Sequence, residues 1–131
     1  MILSETDKTF LLSLAMNSIS ARVVPGGSQL PRNPNLPDSL KLNCGVFVSL
    51  YVDGERRGCI GTFSEEETLY KNTRNRAESA ATSESRFTPI EKEELDNLKI
   101  GVGVLTRRER IYNTDDINLG KHGIYVAQSV N

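Results

Sequence analysis

Apolar residues recur at every third or fourth position near the start of the chain, which is the spacing of one face of an α-helix. Ser4 stands just before this segment, where serine is a preferred N-cap, and Pro25 begins a Pro-Gly-Gly sequence that ends it. We therefore predict a first helix from Glu5 to about Val23. Its apolar face would carry Phe10, Leu11, Leu14, Ala15, Ile19 and Ala21.

A proline-rich stretch follows this helix, because residues 24–43 contain four of the five prolines in the chain. Proline has no backbone N–H to donate, so it interrupts helices and β-ladders alike. We predict an extended, irregular connection here. Loops of this length are uncommon, and they often cover a functional surface.

The pattern then changes to that of a β-hairpin. Residues 45–52 (GVFVSLYV) are rich in β-branched and aromatic side chains, residues 53–54 are Asp-Gly, and residues 55–63 read ERRGCIGTF. A two-residue Asp-Gly turn between two such segments is a strong hairpin signature.

In a regular hairpin, Cys59 would lie opposite Val48, and Arg57 would lie opposite Leu50. Arg57 and Cys59 would then share one face, because side chains alternate along a strand. Cys44 would lie about four residues along the ladder from Cys59, which exceeds disulfide reach, so we predict two free thiols. The other face would carry Arg56, Gly58 and Ile60, with Phe47, Ser49 and Tyr51.

A second helix is indicated by Ser-Glu-Glu-Glu, which has the form of a capping box with Ser64 as the N-cap and Glu67 at the third helical position. We predict that it continues to about Thr82. Its inner face would carry Leu69, Thr73, Ala77, Ala80 and Ala81.

Two further elements complete the pattern. Thr88 before Pro89 predicts another helix start. Residues 99–106 (KIGVGVLT) predict a strand, in which Gly101 and Gly103 leave one face nearly bare. The chain closes with LGKHGIYVA, which predicts a turn and a short strand.

Strands and helices alternate along the chain, but the hairpin makes its two strands antiparallel. We therefore predict one α+β domain over residues 1–131, a mainly antiparallel β-sheet with a central hairpin, flanked by α-helices. Its parts would be an N-terminal helix (1–23), the proline-rich loop (24–43) and a motif-bearing core (44–131).

Composition narrows the function classes. Sixteen basic and seventeen acidic residues leave a net charge of −1, without the basic excess typical of nucleic-acid-binding proteins. No apolar run is as long as a membrane span, and the first residues do not resemble a signal peptide. Two cysteines are too few for a disulfide scaffold. We predict a cytoplasmic protein that binds no membrane.

Cofactor signatures are missing from the sequence. One histidine and two separated cysteines do not form a zinc-binding pattern. The glycine spacings match neither the phosphate-loop nor the dinucleotide fingerprint. We predict neither a metal nor a cofactor.

Three residues are candidates for chemistry. Cys59 is either a small buried hydrophobic residue or a thiol whose pKa is lowered by Arg57 beside it. His122, the single histidine, is either an inert surface residue or the base of a Cys–His pair. Arg86 is either a surface arginine or a clamp for an anion.

Four segments together resemble the AMMECR-type domain family: GVFVSL, RRGCIGTF, SRFTPI…EEL…IGVGVLT and GKHGIYV. The family's Leu-Arg-Gly-Cys-Ile-Gly hallmark is matched by residues 57–61, with Arg56 in place of the leucine. Its Asp-Pro-Arg-Phe motif reads Glu-Ser-Arg-Phe at residues 84–87. Members usually continue past the GKHG strand, so this chain, which stops at Asn131, is expected to be a compact or truncated member.

The resemblance implies an antiparallel sheet with a cleft near the Arg-Gly-Cys-Ile-Gly motif, and no established reaction. It carries over Arg57, Cys59, Arg86 and His122. Cys59 and His122 would be catalytic, and a small anionic ligand would be bound by Arg57, Arg86, Gly58, Gly61 and Thr62. The resemblance also implies Memo-like and radical-SAM proteins as pathway partners.

Two other readings remain open. The domain would be a protein-binding adaptor if the motif only shapes the hairpin and Cys59 is inert. The other reading is nucleic-acid binding, which the net charge disfavours. It would use Arg56, Arg57, Arg74, Arg76, Arg107, Arg108 and Arg110. Apart from these readings, open sheet edges would allow a homodimer.

Overall fold

The computed structural model describes residues 3–24 and 35–105. Its regular elements are α1 (Glu5–Val23), a 3₁₀ helix (Asp38–Lys41), β1 (Val46–Val52), β2 (Glu55–Thr62), α2 (Leu69–Thr82), a second 3₁₀ helix (Lys92–Asn97) and β3 (Leu98–Val104). The three strands form an antiparallel sheet in the order β2-β1-β3. Both α-helices pack on one face of this sheet, so the predicted α+β class is confirmed.

Helix α1 has the bounds that its sequence predicts. The Ser4 hydroxyl accepts a hydrogen bond from the Asp7 amide, and the Asp7 carboxylate accepts one from the Ser4 amide. This reciprocal cap satisfies backbone donors that the first turn would otherwise leave unpaired. The buried residues of the helix are Leu11, Leu14, Ala15, Ser18 and Ile19.

Helix α2 starts later than the capping-box pattern predicts. Its N-cap is Thr68, whose hydroxyl accepts from the Lys71 amide, whereas the Ser64 hydroxyl accepts from the Glu66 amide in a separate turn. The Leu69 amide donates to the Leu42 carbonyl, which ties the helix start to the segment before β1. The predicted end at Thr82 and the predicted inner face are both confirmed.

The predicted helix start at Thr88 and Pro89 is wrong. Both residues precede the second 3₁₀ helix in non-helical backbone, and that helix begins only at Lys92. The Ile90 amide donates to the Ala81 carbonyl at 2.7 Å. This bond holds the segment against the end of α2.

The hairpin turns where the sequence predicts, but its register differs. Asp53 and Gly54 both have positive φ (51° and 83°), as a two-residue turn of the primed type requires. A β-bulge at Arg57 then adds one residue to β2, so that Leu50 lies opposite Gly58 and not Arg57.

The bulge reverses the predicted faces of β2 beyond Arg57. Cys59 pairs with Ser49 and not with Val48. The side of the sheet that carries the helices has Gly58, Ile60 and Thr62 opposite Leu50, Val48 and Val46. The prediction that Arg57 and Cys59 share a face with the buried valines is therefore wrong, because one extra residue inverts the alternation of every side chain after it.

Two clusters of buried residues fill the space between the helices and the sheet. One contains Val48 and Leu50 with the alanines of α2, and the other contains Cys44, Val46 and Leu69. In the described part of the chain, neither α-helix combines the length and the apolar character that a membrane crossing requires.

Candidate functional site

The sheet face opposite the helices, here called the outer face, carries polar side chains and glycine in three rows across the strands. From the hairpin turn, the rows are Arg56, Tyr51 and Lys99; then Cys59, Ser49 and Gly101; then Gly61, Phe47 and Gly103. None of these nine residues is acidic. The outer face therefore presents positive charge at one end and two glycines with a phenylalanine ring at the other.

The thiol of Cys59 lies in the middle row of this face. Its Sγ is 3.5 Å from the Ser49 hydroxyl, and the residue is partly exposed. Cys44 differs, since it is only 2% exposed and its pKa is raised by burial and, to a smaller extent, by Glu65. Both cysteines are free thiols, as predicted. Of the two, Cys59 is the more exposed residue.

The cation beside this thiol is Arg56. Its guanidinium donates to the Tyr51 hydroxyl at 3.5 Å and lies 5.9 Å from the centre of the Tyr51 ring. The pKa of Arg56 is raised, first by the hydrogen bond to Tyr51 and further by its electrostatic interactions with Tyr51 and Cys59. Arg56 thus keeps the place opposite Tyr51 that the regular register predicts, and the bulge brings Cys59 to the same face.

Arg57 is engaged elsewhere. Its Nε and Nη2 donate to the two carboxylate oxygens of Glu94 at 2.7 and 2.8 Å. Its remaining contacts are to the Thr88 and Pro89 carbonyls at 3.2 and 3.3 Å. The hydrogen bond from Arg57 lowers the pKa of Glu94 to about 2. Arg57 therefore links β2 to the segment before β3, and its role in ligand binding stays a prediction.

The side chains of Arg86 and Glu84 form a hydrogen-bonded pair at the edge of β2, next to Cys59. The Arg86 guanidinium donates to the Cys59 carbonyl at 3.2 Å and to a Glu84 carboxylate oxygen at 3.1 Å. The Glu84 side chain is 6% exposed, whereas that of Arg86 is 63% exposed. The pKa of Glu84 is lowered, chiefly by the hydrogen bond from the Arg86 side chain, with smaller contributions from the amides of Arg86 and Cys59. Two motif segments that are far apart in sequence thus meet at the thiol-bearing residue.

The remaining predicted ligand-binding residues of β2 make close packing contacts. A Cβ on Gly58 would lie 2.5 Å from the Ala80 carbonyl oxygen, and one on Gly61 would lie 2.0 Å from the Phe47 ring. The Thr62 hydroxyl accepts from the Ser64 amide at 3.0 Å. Here the backbone approaches α2 and the Phe47 ring too closely for any larger residue.

His122, the predicted base, lies outside the described residues. Within residues 3–24 and 35–105, no group of three histidine, cysteine or acidic residues could hold a metal ion. Sequence reasoning did not assign Ser49, Glu84, Glu94 or Lys99 to the site. Alternation along β1 and β3 could have placed Ser49 and Lys99, but nothing in the local sequence indicates the partners of Arg57 and Arg86.

Known proteins with similar sequences cover most of the chain. A family model described as AMMECR1 matches residues 12–131. A protein from Methanosarcina acetivorans is 36% identical over 97% of this chain and 67% of its own length. A protein from Thermotoga maritima is 32% identical over 78% of this chain and 60% of its own length.

The chain is also similar to a solved structure, the crystal structure of uncharacterized protein PH0010 from Pyrococcus horikoshii. It matches with a TM-score of 0.70 and 33% identity, over 79% of this chain and 53% of that one. The chain therefore spans about two thirds or less of the length of these relatives.

Proposed function

Because this chain belongs to the AMMECR1 family, we propose that it is a cytoplasmic enzyme, or a component of one, that binds a small anionic ligand on the outer face against the thiol of Cys59. The observation that supports this proposal is the partly exposed Cys59 thiol beside Ser49, in the row next to Arg56 and Lys99. Free thiols are typical of proteins from reducing compartments, in keeping with the cytoplasm.

Each residue has a separate role in this proposal. Arg56 and Lys99 attract the anion, and the Ser49 hydroxyl lies 3.5 Å from the Cys59 thiol. The exposed guanidinium of Arg86 adds positive charge at the edge of β2. His122, which the family resemblance carries over, supplies a proton or polarises the ligand.

Alkylation of the Cys44→Ser variant tests the proposal, because Cys59 is then the single thiol. We expect Cys59 to react in the native fold. At low salt, the ratio of its rate with anionic iodoacetate to its rate with neutral iodoacetamide should be about threefold higher in the native fold than in the unfolded chain. The reason is the attraction of the anion by two cations on the same face, each worth about 0.3 kcal/mol across solvent. Mass spectrometry measures both rates.

Arg56→Gln and Lys99→Gln should each reduce this preference, whereas Arg22→Gln should leave it unchanged, since Arg22 is an exposed residue of α1. Labelling of Cys59 only after unfolding would refute the proposal, and so would a preference for iodoacetate that is no greater than in the unfolded chain.

A second function, that of a protein-binding adaptor, is favoured by the packing of the motif. Arg57 is bound to Glu94, while Gly58 and Gly61 are required by close contacts to Ala80 and Phe47. In that case the motif shapes the hairpin, and the partner would be a Memo-like or radical-SAM protein.

The adaptor function predicts that Cys59→Ser binds a purified Memo-like or radical-SAM protein from the same genome as tightly as the unsubstituted chain does. Isothermal titration calorimetry measures both affinities. An absence of binding, or binding that requires the thiol, would count against the adaptor.

A further inference from the structure

We infer that residues 123–127 (GIYVA) pair as a further strand with the side of β3 that faces away from β1, here called the β3 edge. Ile124 and Val126 then fill an apolar groove between this edge and α1. The inference goes beyond the proposed function and does not depend on it. Three observations support it: the backbone of β3, the groove, and the sequence of the segment itself.

The backbone of β3 has bonding groups that are directed away from β1. The Leu105 amide donates to the Gly45 carbonyl at 3.0 Å, and along an antiparallel ladder the residues that bond to the neighbouring strand alternate. Gly101 and Gly103 are therefore bonded to β1. The amides that point away from β1 are those of Ile100, Val102 and Val104. Among residues 3–24 and 35–105, no strand lies on that side, and an edge of this kind is a template for another strand.

The groove beside the β3 edge has a volume of about 260 Å³. It is lined by Leu3, Lys8, Leu11, Leu12, Val102 and Val104. Leu12 is 45% exposed although it is large and apolar, and the two valines of β3 are only partly buried. The Lys8 ammonium is paired with the Glu5 carboxylate at 3.2 Å. The groove therefore suits apolar side chains on the helix side of a strand that lies next to β3.

The segment that follows β3 contains one run with the residue types of such a strand. Residues 123–127 include Ile124, Tyr125 and Val126, and neither proline nor charge interrupts them. Residues 107–110 and 115–116, in contrast, are all charged. Residues 25–34 contain three prolines, which cannot donate to a ladder. The composition of these segments favours residues 123–127 as the partner of β3.

A segment of the same chain also has an advantage over a second copy of the chain. Residues 106–122 link it to the end of β3, and a flexible link of this kind gives an effective concentration of about 1 mM. A second copy at micromolar concentration competes poorly with that. The β3 edge should therefore be paired within one chain.

Alternation along the strand then fixes which side chains face the helices. Ile124 and Val126 share one face, and the apolar groove places them on the helix side. Tyr125 then projects on the outer face, on the side of Gly101 and Gly103. A Cβ on either glycine would meet nothing nearer than 3.9 Å among the described residues. An aromatic side chain from the neighbouring strand is a known way to cover the bare backbone of glycines at a sheet edge.

Amide hydrogen exchange of the full chain, followed for each residue by NMR, tests this inference. We expect the amides of Ile100, Val102 and Val104 to exchange at least about a hundredfold more slowly than in the unfolded chain, because each would donate to the new strand. Without that strand, they should exchange nearly as fast as in the unfolded chain, while Gly101 and Gly103 remain protected by β1.

Ile124→Asp is the variant to compare, because it places a charge in the apolar groove. It should raise the exchange rates of the three edge amides at least about tenfold and leave those of Gly101 and Gly103 unchanged. Ile117→Asp is the matched control outside residues 123–127, and it should change none of these rates. If Ile124→Asp does not fold, Ile124→Ala removes the contact without adding charge and should cause the same selective rise.

Three outcomes would overturn the inference. The first is fast exchange of the edge amides in the unsubstituted chain. The second is protection that survives substitution of Ile124, since another segment would then cover the edge. The third is protection that increases with protein concentration together with a dimer mass in light scattering, which would assign the β3 edge to a second copy. None of these outcomes affects the iodoacetate measurement, so this inference and the proposed function fail separately.

Discussion

Replacing Gly58 with alanine should lower the free energy of unfolding by about 3 kcal/mol, which is at the upper end of the cost of overpacking a core. The added methyl group would lie 2.5 Å from the carbonyl oxygen of Ala80, so α2 must move away from the sheet. The obstacle is helix backbone and cannot rotate aside as a side chain would. Urea denaturation followed by circular dichroism measures the loss.

Gly101→Ala is the control for this variant, because its Cβ meets nothing nearer than 3.9 Å. It should change stability by less than about 0.5 kcal/mol. Similar losses for the two variants would show that the contact between Gly58 and α2 is not what makes glycine necessary.

Replacing Glu94 with glutamine should lower the free energy of unfolding by about 2 kcal/mol at pH 7. The carboxylate makes two hydrogen bonds with Arg57, and both side chains are largely buried, at 18% and 23% exposed. A pKa of about 2, against about 4.3 for a free glutamate, would correspond to roughly 3 kcal/mol, from which solvent screening near the surface takes a part.

The same pair makes the effect depend on pH. A carboxyl whose pKa is lowered by folding stabilises the native state above its unfolded pKa, and this contribution is lost as the pH falls toward the folded value. The stability difference between the unsubstituted chain and Glu94→Gln should therefore be complete at pH 6 and should shrink between about pH 4.5 and pH 2. Urea midpoints across this range measure it.

Glu93→Gln is the matched control, because Glu93 is an exposed neighbour in the same 3₁₀ helix. It should have little effect at any pH. A stability difference for Glu94→Gln that stays constant down to pH 3 would mean that the charge of Glu94 contributes nothing.

Local sequence patterns were sufficient to predict some elements of the fold. Helix α1 follows directly from apolar spacing and the Ser4 cap, and the hairpin turn follows from Asp53 and Gly54. Helix α2 had two cap candidates, Ser64 and Thr68. The choice between them depends on the hydrogen bond from the Leu69 amide to the Leu42 carbonyl, a contact across more than twenty residues that periodicity does not reveal.

The geometry of the site also depends on features that local sequence patterns do not reveal. The motif pointed to the correct hairpin, but the bulge moved Cys59 to the face that carries Arg56, while Arg57 is bound to Glu94. A one-residue bulge leaves the pattern of residue types along the strand almost unchanged. The partner of Arg57 is 37 positions away at Glu94, and only the assembled fold brings the two together.

The contact between Arg86 and the Cys59 carbonyl also occupies a backbone acceptor at the edge of β2. Among the strands of residues 35–105, β2 is an outer one, and the exposed edges of such strands are templates on which chains pair and aggregate. At Cys59 the acceptor is already occupied by a guanidinium that the buried Glu84 holds in place. A strand of another chain would first have to displace this guanidinium, so the contact disfavours strand pairing at this point of the β2 edge.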